Sequence, residues 1–342
     1  MHILENPWRG TSLPDETLNE IPMPSTDAEA VEALLRACPA AGETPLVEAQ
    51  GLPGTVWIKD ERARMGLGSF KALGAAYVIA CEASEMGADD LSAALEGRTY
   101  VTASAGNHGM SVAAGARVFG ADAVIYLADT VPEGFAERLR EKGARVVREG
   151  AEYEASVAAA MKAAEDNDWA LLSDTSWPGY VLRPHRLMEG YLAMAAEATR
   201  QMTVVPTHIF LQAGVGGLAG ACAAYFRQIW GDTPRIIVVE PAEAPALQAA
   251  IEAGQFVTAQ GSVSAMGRLD CKEASLIALK GLARDADAFA TITETEAAEV
   301  LPELAAQGLG TTESGAAGVA ALRLMALPDA AVSLCVLSEM AT

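Results

Sequence analysis

Short apolar runs recur along the chain, and nearly every one precedes a segment whose apolar positions repeat every three to four residues. The runs "TVWIKD" (55–60), "RTYVTAS" (98–104), "DAVIYLA" (122–128), "ARVVRE" (144–149) and "WALLSD" (169–174) read as strands. So do "HIFLQAG" (208–214), "RIIVVEP" (235–241), "AFATITE" (288–294) and "VSLCVLS" (332–338). Alanine-rich stretches between them, such as "VAAGARVFG", "EGFAERLREKG" and "EAAEVLPELAAQG", carry helical periodicity. Strands that are apolar on both faces and alternate with helices predict parallel sheets covered on each side. The expected fold class is therefore α/β, with two doubly wound, mostly parallel sheet domains and a cleft between them. The closely spaced strands from 98 to 174 make one unit, and those after 208 join the strand at 55–60 in another. This gives a large domain of residues 1–82 and 186–342 and a small domain of residues 83–185. In such sheets ligands bind beyond the carboxyl ends of strands, against helix N-termini.

Composition narrows the class without changing the fold. The 342 residues are half hydrophobic and include 31 glycines, enough for two lobes with sizeable cores. A formal charge of −21 speaks against nucleic acid and anionic membranes as partners, since both need basic patches. No apolar run is long enough to span a bilayer, and the first residues lack a signal-peptide pattern. Cysteines 38, 81, 222, 271 and 335 are scattered without a CxxC pair, as expected for reduced thiols in a cytoplasmic protein. The histidines at 2, 108, 185 and 208 show no ligand spacing with them, so no metal is expected.

Three loops at strand carboxyl ends carry the candidate chemistry. In "GSFKALGAAY" (68–77), Lys71 stands at the head of an apolar helix. Burial and the positive helix end should lower its pKa, and a neutral amine can attack an aldehyde. In "LQAGVGGLAGACAAY" (211–225), Gly214, Val215, Gly216, Gly217 and Leu218 offer bare N–H groups at a helix start, an anion cradle suited to a phosphate monoester. It matches neither a P-loop nor a dinucleotide fingerprint. In "TASAGNHGMSVAAGA" (102–116), Ser104, Ala105, Gly106 and Asn107 put small residues and an amide at another helix start, where Asn or Ser also serves as an N-cap. His108 reads as a structural hydrogen-bonding residue rather than a general base. A Schiff-base lysine, a phosphate cradle and an anion-friendly loop are the fittings that pyridoxal 5′-phosphate requires.

The sequence resembles the fold-type II pyridoxal-phosphate enzymes, the tryptophan synthase β group. "SFKALGAAY", "SAGNHG", "QAGVGGLAG" and "LCVLSE" occur in that group's order and spacing over nearly the whole chain. Within the group, "DERARMGLGSFKALGAAY", "SDTSWPGY", "MGRLDCKEASLIALKG" and "TESGAAG" are similar to the diaminopropionate ammonia-lyases. The resemblance implies β-elimination from a 3-substituted 2-amino acid such as 2,3-diaminopropionate, giving a 2-oxo acid and ammonia. The alternative is a dehydratase of serine, threonine or 3-hydroxyaspartate. It implies further that Lys71 carries the cofactor and removes the α-proton, that Asn107 bonds the ring hydroxyl, and that residues 214–218 bind the phosphate. Ser104, Ala105 and Gly106 would receive the substrate α-carboxylate. Ser338 would sit by the pyridine nitrogen, with Cys335 and Glu339 as alternatives. Asp174 would act as acid or base near the β-substituent, and "DTSW" also reads as a helix cap. Arg268, Asp270 and Glu273 read as caps of the helix from 275, with a position facing substrate as the alternative. Relatives in this group are homodimers. Ala105 is a departure, because that family carries an aspartate there, and it removes the expectation that both substrate enantiomers are handled.

Overall fold

The computed structural model describes residues 1–342 apart from Pro39, Asp89, Ala105 and Thr342. In chain order the strands are β1 (His2–Glu5), β2 (Leu46–Ala49), β3 (Thr55–Asp60), β4 (Thr99–Ala103), β5 (Asp122–Leu127) and β6 (Arg145–Arg148). They continue with β7 (Ala170–Leu171), β8 (His208–Gln212), β9 (Arg235–Pro241), β10 (Ala288–Ile292) and β11 (Val332–Leu337). Among the described residues they form a larger sheet, β1-β10-β9-β8-β11-β3-β2, and a smaller one, β6-β5-β4-β7. The two edge strands of the larger sheet, β1 and β2, pair antiparallel, and the other named pairings are parallel.

The continuous apolar strands behave as their composition requires. In β9, Ile236 and Val238 enter one core layer while Ile237 and Val239 enter the other. In β11, Leu334 and Val336 divide from Cys335 and Leu337 in the same way, so helices cover both faces. The smaller sheet packs Val101, Ala103 and Val124 against Ala160, Ala163 and Ala164 of the helix Tyr153–Asn167.

Three local expectations change. Strands β1 and β2 went unread because four residues at a sheet edge give too little alternation to register. The run at 169–174 keeps only Ala170–Leu171 as strand, so Asp174 stands on a loop beyond it. The segment "EAAEVLPELAAQG" splits into helices Glu294–Ala298 and Leu301–Ala306, with Pro302 in the first turn of the second. Proline has no N–H to continue the first helix but is tolerated in a first turn.

Two clusters of charge fix the frame around the cleft. Glu82, near the end of the helix Gly74–Glu85, accepts from Arg98 at 2.6 Å, from Tyr100 at 2.7 Å and from Arg183 at 2.8 Å. One carboxylate thus ties the segment leaving the larger sheet to β4 and to the helix Leu182–Gly190, which leads back. The second cluster is buried: Arg64 lies 2.7 Å from Glu61 and 2.6 Å from Glu197, and Lys59 lies 2.7 Å from Glu197. It anchors the segment Glu61–Gly66, which leads towards Lys71. Among the described residues no helix is long and apolar enough to cross a membrane.

Candidate active site

Strands β8, β11 and β3 are neighbours, so the loops from their carboxyl ends emerge side by side. The chain after β3 turns through Glu61–Gly66, with Met65 at φ 51°, and then passes Gly68 at φ 83°. It is clasped by the last strand's continuation: Phe70 N–H donates to Ser338 O at 3.0 Å, and Met340 N–H donates to Gly68 O at 2.9 Å. Lys71 sits in the turn Phe70–Leu73 that feeds the helix Gly74–Glu85.

Lys71 Nζ donates to Asp174 Oδ2 at 2.6 Å, joining a loop of the larger sheet to a loop of the smaller one. This overturns the expected pKa. Burial alone would lower it, but the Asp174 carboxylate outweighs burial and raises the Lys71 pKa. Asp174 is held below the usual carboxylate range: burial opposes the shift, while Lys71 and then His108 drive it. Nor is Asp174 a helix cap, since the next helix starts at Leu182 with Val181 before it.

The surroundings of this pair are apolar and short of partners. Tyr191 is buried with its hydroxyl unpartnered beside Lys71, and its pKa is pushed to about 12, chiefly by burial. Its ring lies 4.9 Å from that of Phe70. His108 Nε2 faces Leu172 O at 2.8 Å while Nδ1 has no partner, and burial lowers its pKa. That supports the structural role expected for His108. Ser69 Oγ is likewise buried and unpartnered. The sequence reading missed Tyr191 and Ser69; the one available signal was a phenol in the middle of the apolar run "GYLAMAA".

The glycine loop follows β8. Ala213 N–H donates to Val239 O at 2.8 Å and Ser275 N–H to Val215 O at 2.9 Å, and the helix Gly217–Trp230 begins. Its first N–H groups have no partner within the helix and carry its positive end. Gly216 has φ 96°, and a Cβ there would stand 3.0 Å from Ala278 Cβ and 3.1 Å from Leu247. A Cβ on Gly214 would stand 3.0 Å from Cys271 Sγ. Gly216→Ala is therefore expected to cost roughly 1–3 kcal/mol of stability and to weaken cofactor binding. Fluorescence titration of the apoprotein with pyridoxal phosphate checks this, and unchanged affinity would count against the cradle.

In the third loop Ser104 Oγ accepts from Gly106 N–H at 3.2 Å and from Gly109 N–H at 3.1 Å. Ala105 lies outside the described residues. Asn107 Nδ2 donates to Glu339 Oε2. Glu339 also accepts from Thr312 Oγ1 at 2.5 Å, and its main-chain oxygen accepts from Thr311. Glu339 is thus committed to the loop's framework, and Cys335 faces a core layer with its thiol pKa raised by burial. Ser338 is buried beside the Lys71 turn.

The capping expected of the 266–276 stretch does not form. The helix starts at Leu276 with Ser275 as N-cap and no side-chain cap bond. Asp270 instead meets Lys272 at 2.8 Å, and Glu273 accepts from Thr258 at 2.7 Å. Arg268 faces the site: Nε lies 3.6 Å from Glu339, and Nη1 lies 3.2 Å from where a Cβ on Gly106 would stand.

This donor set fits pyridoxal phosphate. Glycines without room for a Cβ leave N–H groups of the cradle bare for a phosphate, while a lysine among buried unpartnered polar atoms faces the cleft. Residues 37–339 match the family model described as pyridoxal-phosphate dependent enzyme. The diaminopropionate ammonia-lyase of Salmonella typhimurium is 33% identical over 300 residues, covering 79% of this chain and 73% of that protein. That of Escherichia coli K12 is 33% identical over 257 residues, covering 71% of this chain and 65% of that protein. The crystal structure of the Escherichia coli enzyme with an aminoacrylate-PLP azomethine reaction intermediate aligns with TM-score 0.86 at 28% identity, covering 99% of this chain and 93% of that one.

Proposed function

This chain belongs to the pyridoxal-phosphate dependent enzymes, and from that premise we propose that it is an ammonia-lyase. Its substrate is a 3-substituted 2-amino acid such as 2,3-diaminopropionate, and its products are a 2-oxo acid and ammonia. The observation that carries the reading is the Lys71–Asp174 pair at 2.6 Å, placed between the glycine cradle of one sheet and the 104–107 loop of the other.

Pyridoxal phosphate, when bound, supplies a carbonyl for the amino group and a sink for negative charge at the α-carbon. Residues 214–218 would hold its phosphate, Lys71 would carry it, Asn107 would bond its ring hydroxyl, and Ser338 would offer a hydroxyl to its ring nitrogen. One Nδ2–H of Asn107 is committed to Glu339, which leaves its second N–H and its Oδ1 for the ring hydroxyl. Lys71 Nζ, as the free amine, takes the proton from the substrate α-carbon. Asp174 stabilises the ammonium that results, which is why a raised Lys71 pKa suits this step: it makes the amine a stronger base. The same pair then delivers a proton to the departing β-amino group. Ser104, Ala105 and Gly106 receive the α-carboxylate. Phe70 and Tyr191 pack beside the pair, with the Phe70 ring centre 5.4 Å from Lys71 Nζ.

The reading divides the chain into a large domain of residues 1–82 and 186–342 and a small domain of residues 83–185. It takes the protein to be cytoplasmic, in keeping with five free thiols, and to act as a homodimer. Product stoichiometry tests the substrate. A diamine substrate yields two equivalents of ammonia per oxo acid, whereas a hydroxyamino acid yields one. We expect two with 2,3-diaminopropionate as the preferred substrate. Higher kcat/KM for serine or threonine, with one equivalent, would move the assignment to a dehydratase.

A further inference from the structure

We propose that Ser176 is a positioning residue of this site: clasped to Ser275 across the cleft, it holds Asp174 against Lys71. The proposal rests on the acid–base roles given above to that pair and names what sets their separation. Strand β7 ends at Leu171, so the loop beyond it must fix where the Asp174 carboxylate points. Part of the loop is closed on itself. Ser173 N–H donates to the Tyr180 hydroxyl at 3.0 Å, that hydroxyl donates to Leu171 O at 2.9 Å, and the Trp177 ring stacks on Tyr180 at 4.3 Å. Those contacts shape the loop; Ser176 ties it to the other side of the cleft.

The hydroxyls of Ser176 and Ser275 lie 2.7 Å apart, and Ser176 N–H donates to Ser275 Oγ at 3.0 Å. Ser176 Oγ accepts from Ile277 N–H at 3.0 Å, and its carbonyl accepts from Leu276 N–H at 3.2 Å. Those two N–H groups open the helix Leu276–Asp285, whose own N-cap, Ser275, makes no side-chain cap bond. A serine there ordinarily caps its own helix. Here its hydroxyl is turned to Ser176, and the cap comes from 99 positions away in sequence. "DTSW" thus does carry a cap, for a distant helix. Both serines are buried, so a loop pulled away would leave these groups unpaired. The same frame backs the cradle: Ser275 N–H donates to Val215 O at 2.9 Å, and Ala278 Cβ leaves no room for a Cβ on Gly216. The clasp therefore sets Asp174 relative to the glycine loop, and Lys71 Nζ meets it at 2.6 Å. Proton transfer depends steeply on placement, and a displacement of about 1 Å costs on the order of a hundredfold.

A mutant cycle of S176A and D174N in the holoenzyme tests this. For S176A we expect kcat to fall roughly ten- to hundredfold with KM within about threefold. S275A, which leaves Ser176 its bond to Ile277, should lose less. In D174N, adding S176A should cost less than about twofold, because the carboxylate it positions is already gone. A loss in S176A below about twofold, or one that recurs undiminished in D174N, overturns the proposal. If S176A does not fold, S275A enters the same cycle and is judged by the same two outcomes. A second readout needs no turnover: the rate at which acetic anhydride labels Lys71 in the apoprotein, relative to an added amine standard, follows the fraction of free amine. Burial lowers the Lys71 pKa and Asp174 more than restores it, so the wild-type rate should still climb above pH 10.5, the ordinary lysine value. With Asp174 released, burial is left and the S176A rate should level off at lower pH. Tyr153, Tyr191, Cys271 and His108 also face the pair and are the same in both proteins. Faster labelling at every pH, with the curve unmoved, would mean a merely loosened site and overturns the proposal. A wild type that releases no ammonia, with the labelling curve still moved by S176A, sinks only the lyase reading.

Discussion

Lys71→Ala is expected to lower oxo-acid formation by at least about a thousandfold, since it removes both a covalent attachment point and a general base. The neighbourhood offers no substitute. Asp174 loses the partner that holds its pKa down, but a carboxylate is still a far weaker base than the amine and cannot carry the cofactor as an imine. Burial keeps the Tyr191 phenol and the Cys271 thiol protonated, each pushed to about 12, and His108 is anchored on Leu172 O. Two measurements check the result. Borohydride reduction of the wild type should leave the cofactor on the peptide containing residue 71, whereas the variant should release it on denaturation. Steady-state rates should fall in step. Turnover within tenfold of wild type, or a label on another lysine, would remove the assigned roles.

How much of this was legible beforehand depends on the kind of signal. Strands β3 and β9 keep the bounds that the sequence pattern gives them, because the middle of a strand buried on both faces must be apolar. The glycine loop and the Lys71 turn were legible for a related reason: each is a sharp compositional break at a strand end. What the pattern could not carry was pairing across the two sheets. Asp174 and Lys71 are 103 positions apart, so an amine whose pKa local burial would lower has it raised instead by a distant carboxylate. Arg268 failed for the same reason. Next to Asp270, Glu273 and a helix start it reads as local capping, and only the fold sets it against Gly106. The charged run "KDERAR" contains three of the most buried ionic side chains in the chain, Lys59, Glu61 and Arg64, a burial that its local composition does not announce.

That run leads to the second large effect, Arg64→Ala. Arg64 is 2% exposed, and its five N–H groups are all used. They meet Glu61 at 2.7 Å, Gly42 O at 2.8 Å, Thr44 Oγ1 at 2.9 Å, and Glu197 at 2.6 and 2.8 Å. Removing it leaves two buried carboxylates facing Lys59 alone, an uncompensated buried charge that costs about 3–5 kcal/mol. We expect the thermal midpoint to fall by roughly 5 °C or more, while Arg64→Lys, which restores charge without the fork, loses less. Acid should narrow the gap. Burial opposes but Arg64 and Lys59 together lower the Glu197 pKa, so its contribution is full above its ordinary value of 4.5 and is lost as pH falls through the lowered one. In the variant that contribution is already missing, and protonation relieves the stranded carboxylates, so the two melting curves should converge below about pH 4.5. A constant difference across that range would mean that Arg64 acts by packing alone. Since the segment Glu61–Gly66 delivers the chain to the Lys71 turn, the same variant should also lose kcat at temperatures where it remains folded. The buried charges behind β3 are then part of how the amine is held towards Asp174.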